Sequence, residues 1–172
     1  SRQVFLERAK KINQYLKEWD TKRVTSPAMH RNLKWMSDLN IEYGTSIFDP
    51  DPFEPQPDGV QTIFPFWVPS DCNTKGYFEL PYTLPQDFTI YILMQERDTA
   101  VWRKKLDWIA QCGGMALLNS HPDYMCFEGS MPGQEEYPVQ LYTDFLIYMK
   151  QKYTQQYWHG LSKNVAVFLK NR

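Results

Sequence analysis

Ionisable side chains gather at four points where an extended run of the sequence breaks into a loop: Ser26 to His30, Asp49 with Asp51, Asp87, and His121 with Asp123. The sharpest break is MALLNSHPDYM, residues 115–125. There the run from Met115 to Asn119 reads as a buried strand and gives way to Ser120, His121, Pro122 and Asp123 without a taper. Proline stops a hydrogen-bonded ladder and fixes the backbone directly after the histidine. A histidine and an aspartate held at such a tip can do acid–base work or ligate a metal. Each position also has a plainer explanation. His30 can simply open a helix, Asp49 and Asp51 fit Asp-Pro turn chemistry, and Asp87 can be no more than a helix cap. His121 is the strongest of the set, because its strand reads as the most buried. Ser120 does not complete a triad with it, since strand neighbours point to opposite faces.

The elements that must position these groups alternate between helix and strand. VFLERAKKINQYLKEW is amphipathic, with Phe5, Ala9, Ile12, Leu16 and Trp19 on one face. RVTSP is a short strand ended by Pro27, HRNLKWMSDL a helix with Leu33, Met36 and Leu39 inward, and IEYGTSIF a second strand. That alternation argues for a parallel sheet with right-handed crossovers. DPDPFEPQPDG, residues 49–59, is too rich in proline for helix or central strand. VQTIFPFWV resumes a strand-like run. FTIYILMQE is ambiguous between a strand and a short buried helix, and its β-branched content tilts it to strand. DTAVWRKKLDWIAQCGG predicts a helix capped by Asp98, turned inward at Trp102, Leu106 and Ile109, and ended by Gly113 and Gly114. After the strand at Met115 comes a long connection of the kind that forms lids or binding loops. Pro138 then opens a helix with Val139, Tyr142, Phe145, Leu146 and Met149 inward, and a last helix uses Val165, Phe168 and Leu169.

The totals set bounds on function. A chain of 172 residues is most simply a single domain, 1–172, with a real core. A formal net charge of −1 gives no steering toward nucleic acid or an anionic membrane, and no apolar run reaches the ~20 residues of a membrane span. Cys72, Cys112 and Cys126 form neither a disulfide framework nor a paired zinc site. They fit thiols in a reducing compartment, so a cytoplasmic location is expected. Aromatic residues make up 16% of the chain, enough either for a heavy core or for rings lining a groove on which a sugar could stack. Nucleophile elbow, HExxH, P-loop and dinucleotide fingerprints are absent from the sequence, and proline spacing rules out an EF-hand turn at residues 49–59.

Three strings, TSPAMHRNLKWMSDLNIEYGTSIFDPDPFEPQPDGVQTIFPFWVP, ELPYTLPQDFT and GGMALLNSHPDYM with EYPVQLY, resemble a bacterial group of polysaccharide deacetylase-like proteins. The group belongs to the carbohydrate esterases of the NodB-homology type. The resemblance spans nearly the whole chain. It implies a distorted (β/α) barrel and metal-dependent removal of acetyl groups from N-acetylated sugars. By position LLNSH resembles the motif that supplies the general acid, which makes His121 that acid. VTSPAM resembles an Arg-x-x-Pro segment in which Pro27 is kept and Thr25 stands at the arginine position. Arg23 lies two residues earlier on the same strand face, a shift of roughly 6–7 Å. Asp49 and Asp51 fall where the family often carries a substrate-facing aspartate, with Asp87 and Asp123 as further binding candidates.

The family's Asp-Asp pair and His-x-x-x-His are expected before the first helix, so the chain reads as the C-terminal portion of such a protein. The expected fold class is α/β, a partial (β/α) barrel with a mainly parallel sheet and without the N-terminal strands. A divalent metal, zinc or similar, belongs to the intact family, with no ligand set expected on this chain, which alone should be catalytically silent. Carbohydrate is the expected partner, with a homodimer or the missing N-terminal segment covering the open strand edge. The alternatives are a non-catalytic carbohydrate-binding module and a structural domain kept for assembly.

Overall fold

A computed structural model of the chain describes residues 1–26, 31–49, 59–70, 75–127, 129 and 131–172. They group into two compact units, one of Ser1–Phe48, Phe64–Pro81 and Gly160–Arg172, the other of Asp49–Ile63 and Tyr82–His159.

In the first unit, α1 (Arg2–Glu18) buries Ala9 and Leu16, with Phe5 and Ile12 half-buried on the same stripe. Trp19, expected inward, sits past the helix end and is 70% exposed. The chain turns there through Asp20, at φ 46°, and the Thr21 amide closes on the Leu16 carbonyl. Next come β1 (Arg23–Val24), α2 (Leu33–Met36) and β2 (Tyr43–Gly44), then β3 (Phe66–Pro69) and β4 (Gly76–Glu79). α2 is a single turn, shorter than its sequence suggests. Asn32 caps it through the Trp35 amide, and Asn13 of α1 holds the next residues out of the helix by bonding the Asp38 carbonyl and the Asn40 amide. The sheet runs β1-β2-β4-β3. β1 with β2 and β2 with β4 are parallel, while β3 and β4 form an antiparallel pair. β4 has no counterpart in the sequence reading. Met36, Leu39, Ile41, Val68 and Tyr77 pack with Ala9 and Leu16 as the core of this unit. α5 (Ser162–Lys170) buries Ala166, whereas Phe168, expected inward, is 45% exposed.

The second unit is built on α3 (Ala100–Cys112) and α4 (Val139–Lys152). Asp98 accepts the Ala100 amide at 2.7 Å, and Gly113, at φ 67°, ends α3 as anticipated. Trp102, Leu106 and Ile109 pack against Ile63, Leu84, Ile90, Tyr91, Tyr137 and Phe145. On the outside, Asp107 of α3 accepts from Tyr148, Lys152 and Tyr153 and ties α3 to α4. Burial alone would raise that carboxyl's pKa, but the hydrogen bonds from Lys152, Tyr153 and Tyr148 outweigh it and hold it below the usual range.

Two segments depart from expectation. Residues 88–93 form a π-helix (Phe88–Leu93) rather than a strand, with the Met94 amide on the Thr89 carbonyl. Three consecutive residues, Thr89, Ile90 and Tyr91, are buried there. The alternation of a half-buried strand would turn one of them outward. The run Met115 to Asn119 is extended but partly exposed, and it joins no ladder. Its bonds go to irregular partners: the Met115 amide to the Ile63 carbonyl, and the Leu117 amide to the Thr83 hydroxyl. The Thr83 hydroxyl in turn donates to the Met115 carbonyl, and the Thr83 and Leu84 amides both donate to the Leu117 carbonyl, so side-chain and backbone groups of one short segment share the run's hydrogen bonds. β5 (Met125–Cys126) and β6 (Tyr137–Pro138) form a separate parallel pair.

The fold is therefore mixed α/β with a small, mostly parallel sheet and flanking helices. Among the described residues, no helix is long and apolar enough to cross a membrane. Cys112 is exposed and Cys126 buried, and Cys72 lies outside the described residues.

Candidate functional site

The best-defined polar constellation is built around Asp87, which is fully buried at the start of the π-helix. Its carboxylate would be costly to bury without partners, and it has four. Oδ1 accepts the Phe88 amide at 2.9 Å and faces His121 Nδ1 at 2.7 Å. Oδ2 accepts the His121 amide at 2.6 Å and the Tyr137 hydroxyl at 3.1 Å. Asp87 thus caps a helix, as its sequence context allows, and also grips a histidine 34 residues away through both backbone and ring.

His121 is held from its other side by the break that follows it. Pro122 opens a 3-10 turn (Pro122–Tyr124), and the Tyr124 amide bonds back to the His121 carbonyl. This folds the Tyr124 ring edge-on to the imidazole, with centroids 5.4 Å apart. With Nδ1 donating to Asp87, Nε2 is the nitrogen left to exchange a proton. It lies 3.4 Å from Asn119 Nδ2, which also donates to Gln86 Oε1 at 3.0 Å. The side chain of His121 is 36% exposed, so solvent or a ligand reaches it while its counter-charge stays dry.

Tyr137 completes the cluster from β6. Burial, then the Asp87 charge and the hydrogen bond it donates, push its phenol far above the usual value, so it remains a fixed donor. Its ring stacks on Tyr91 at 4.4 Å, and Tyr91 meets Trp102 edge-on at 5.1 Å. The Asp–His pair is therefore seated directly on the aromatic core of its unit.

The other sequence candidates separate from this cluster. Asp123 is exposed in the 3-10 turn, with no hydrogen bond or ion pair among the described residues. Asp49 is nearly buried and engages Lys105 Nζ at 2.8 Å, in a pair with side chains 14% and 10% exposed. Asp51 and His30 lie outside the described residues. Arg23 belongs to the first unit, where its guanidinium bonds the Thr25 hydroxyl at 2.8 Å and the Thr45 hydroxyl at 3.3 Å. Among the described residues, no three His, Cys, Asp or Glu side chains converge to hold a metal ion.

Two buried polar residues escaped the sequence reading. Tyr137 carried no signal beyond being an aromatic before a proline. Glu79 was visible only as an acid inside the apolar run YFELP. It is fully buried at the end of β4 and accepts amides from Ser46 and from Ile47, the latter at 3.1 Å. Burial, only partly opposed by those amides and by Arg31, lifts its carboxyl to about 7.

Compared with known proteins, the chain matches no family model, no curated protein and no solved structure.

Proposed function

We propose that this chain is a polysaccharide deacetylase-like hydrolase domain of the NodB-homology type, in which His121 is the general acid and Asp87 its orienting partner. The observation that supports this reading is the buried Asp87 carboxylate, which grips Nδ1 and the backbone amide of a half-exposed histidine. The arrangement fixes the ring tautomer and directs proton exchange to Nε2. In amide hydrolysis Nε2–H donates to the departing sugar nitrogen, while Asp87 supplies a counter-charge that never has to leave its four donors. The small parallel sheet is read in the same proposal as part of a (β/α) barrel. Acid and positioning roles are the ones proposed for this chain; no residue of it is proposed as general base or as ligand to the family's divalent metal.

The test uses an N-acetylated chito-oligosaccharide with the whole chain. Binding raises the melting temperature and shifts the His121 ring resonances; the melting shift shrinks in His121→Ala, and both effects shrink in Asp87→Asn. A melting shift that His121→Ala leaves unchanged assigns the chain to saccharide binding without acid catalysis. Absence of any shift in either readout refutes the proposal.

A further inference from the structure

We propose that the outer edge of β1 is a dimerisation surface, on which a second copy of the chain adds its own β1 antiparallel about a two-fold axis through Val24. The edge is open in a specific way. The Lys22 carbonyl accepts the Glu42 and Tyr43 amides, and the Val24 carbonyl accepts the Thr45 amide. In that parallel register both backbone groups of Val24 turn toward β2. Alternation along the strand then turns the amide and carbonyl of Arg23, and the amide of Thr25, to the opposite side. No backbone partner meets them there among the described residues.

This set of groups is self-complementary. With the axis at Val24, Arg23 of one copy faces Thr25 of the second copy, and vice versa. Each Arg23–Thr25 pair can exchange two backbone hydrogen bonds, and the valines form the close, non-bonded pair between them. The two arginines are not opposed, and a net charge of −1 adds little repulsion between copies. Beside the edge, Tyr15 and Trp19 are exposed. A groove of about 480 Å³, lined by Ile12, Tyr15, Leu16, Trp19 and Val24 among others, runs along it. Trp19 is stacked on Tyr15 and 70% exposed. A second copy is preferred to a saccharide as occupant because the unmet groups include backbone donors and acceptors in strand register. The other outer strand, β3, is treated differently: Pro65 precedes it and Pro69 ends it, which blunts pairing. Lys22 to Ser26 contain no proline.

Light scattering from micromolar to near-millimolar protein is expected to show a mass rising from 20.5 kDa to twice that value. Over the same range, hydrogen exchange at the Arg23 and Thr25 amides should slow with concentration. Val24→Cys should form an intermolecular disulfide, because a non-bonded antiparallel pair places Cα atoms ~4.5 Å apart, within disulfide reach. Lys22→Cys should not, because the axis leaves its two copies ~13 Å apart. A mass of 20.5 kDa at every concentration overturns the proposal. So does a dimer in which Lys22→Cys cross-links as readily as Val24→Cys, or one whose Arg23 and Thr25 amides exchange at the monomer rate.

Discussion

Replacing Glu79 by glutamine isolates what it costs the first unit to bury that charge. The carboxyl moves from its usual 4.5 to about 7 because burial penalises the anion more than the Ser46 and Ile47 amides and Arg31 favour it. An acid that holds its proton to higher pH when folded stabilises the fold fully below 4.5, and that contribution is lost as pH rises to about 7. At about 1.4 kcal/mol per pH unit, the loss is on the order of 3 kcal/mol. Glu79 is fully buried, so solvent screening does not reduce the figure. Glutamine keeps an oxygen for the two amides and carries no proton equilibrium. Its absolute stability shifts for other reasons, so the comparison rests on slopes. Between pH 5 and pH 8 the glutamine variant should gain about 3 kcal/mol relative to the parent chain. Other titrating groups are common to both and cancel. Urea titrations at several pH values, followed by the Ser46 and Ile47 amide resonances, report on the right unit. Parallel pH profiles for the two proteins would refute the reasoning, because Glu79 would then titrate alike folded and unfolded.

Gly44→Ala should destabilise the same unit by ~1–3 kcal/mol, since a Cβ there would run into Glu79 Oε2 and approach the Tyr77 ring to 3.1 Å. Combining it with Glu79→Ala should return part of that loss in a double-mutant cycle, and strict additivity would show that the clash is not the cause. Asp49→Ala should cost ~3 kcal/mol in the second unit, because it removes the carboxylate that Lys105 contacts in a mostly buried pair. A variant that melts with the parent chain would refute a packing role for Asp49.

Much of the frame was legible from local chemistry. The apolar stripes of α1 and α3, the Asp98 and Gly113 ends of α3, and the break at Pro122 follow from periodicity, capping and proline geometry, which act within a few residues. The errors lie where tertiary packing outweighed local preference. FTIYILMQE carries β-branched residues, yet it winds into a π-helix that buries Thr89, Ile90 and Tyr91 in succession. MALLN is apolar enough for a strand, yet its backbone bonds to Ile63, to Leu84 and to both the amide and the hydroxyl of Thr83 without forming a ladder. Trp19 continues the stripe of α1 by count, but the helix ends before its turn comes.

The sequence by itself determined which side chains could do chemistry and that His121 would stand at an abrupt end, because residue type and proline constraint are local properties. It determined equally that Asp87 could cap a helix. Only the tertiary structure decided that Asp87 and His121 are one unit, that Tyr137 joins them, and that Asp49 is engaged by Lys105. These partners stand 34, 50 and 56 residues apart. No periodicity or motif reports a distance across such separations. It is fixed by the packing of α3, the π-helix and β6 around Trp102 and Tyr91, which brings His121 and Tyr137 to the buried Asp87 carboxylate.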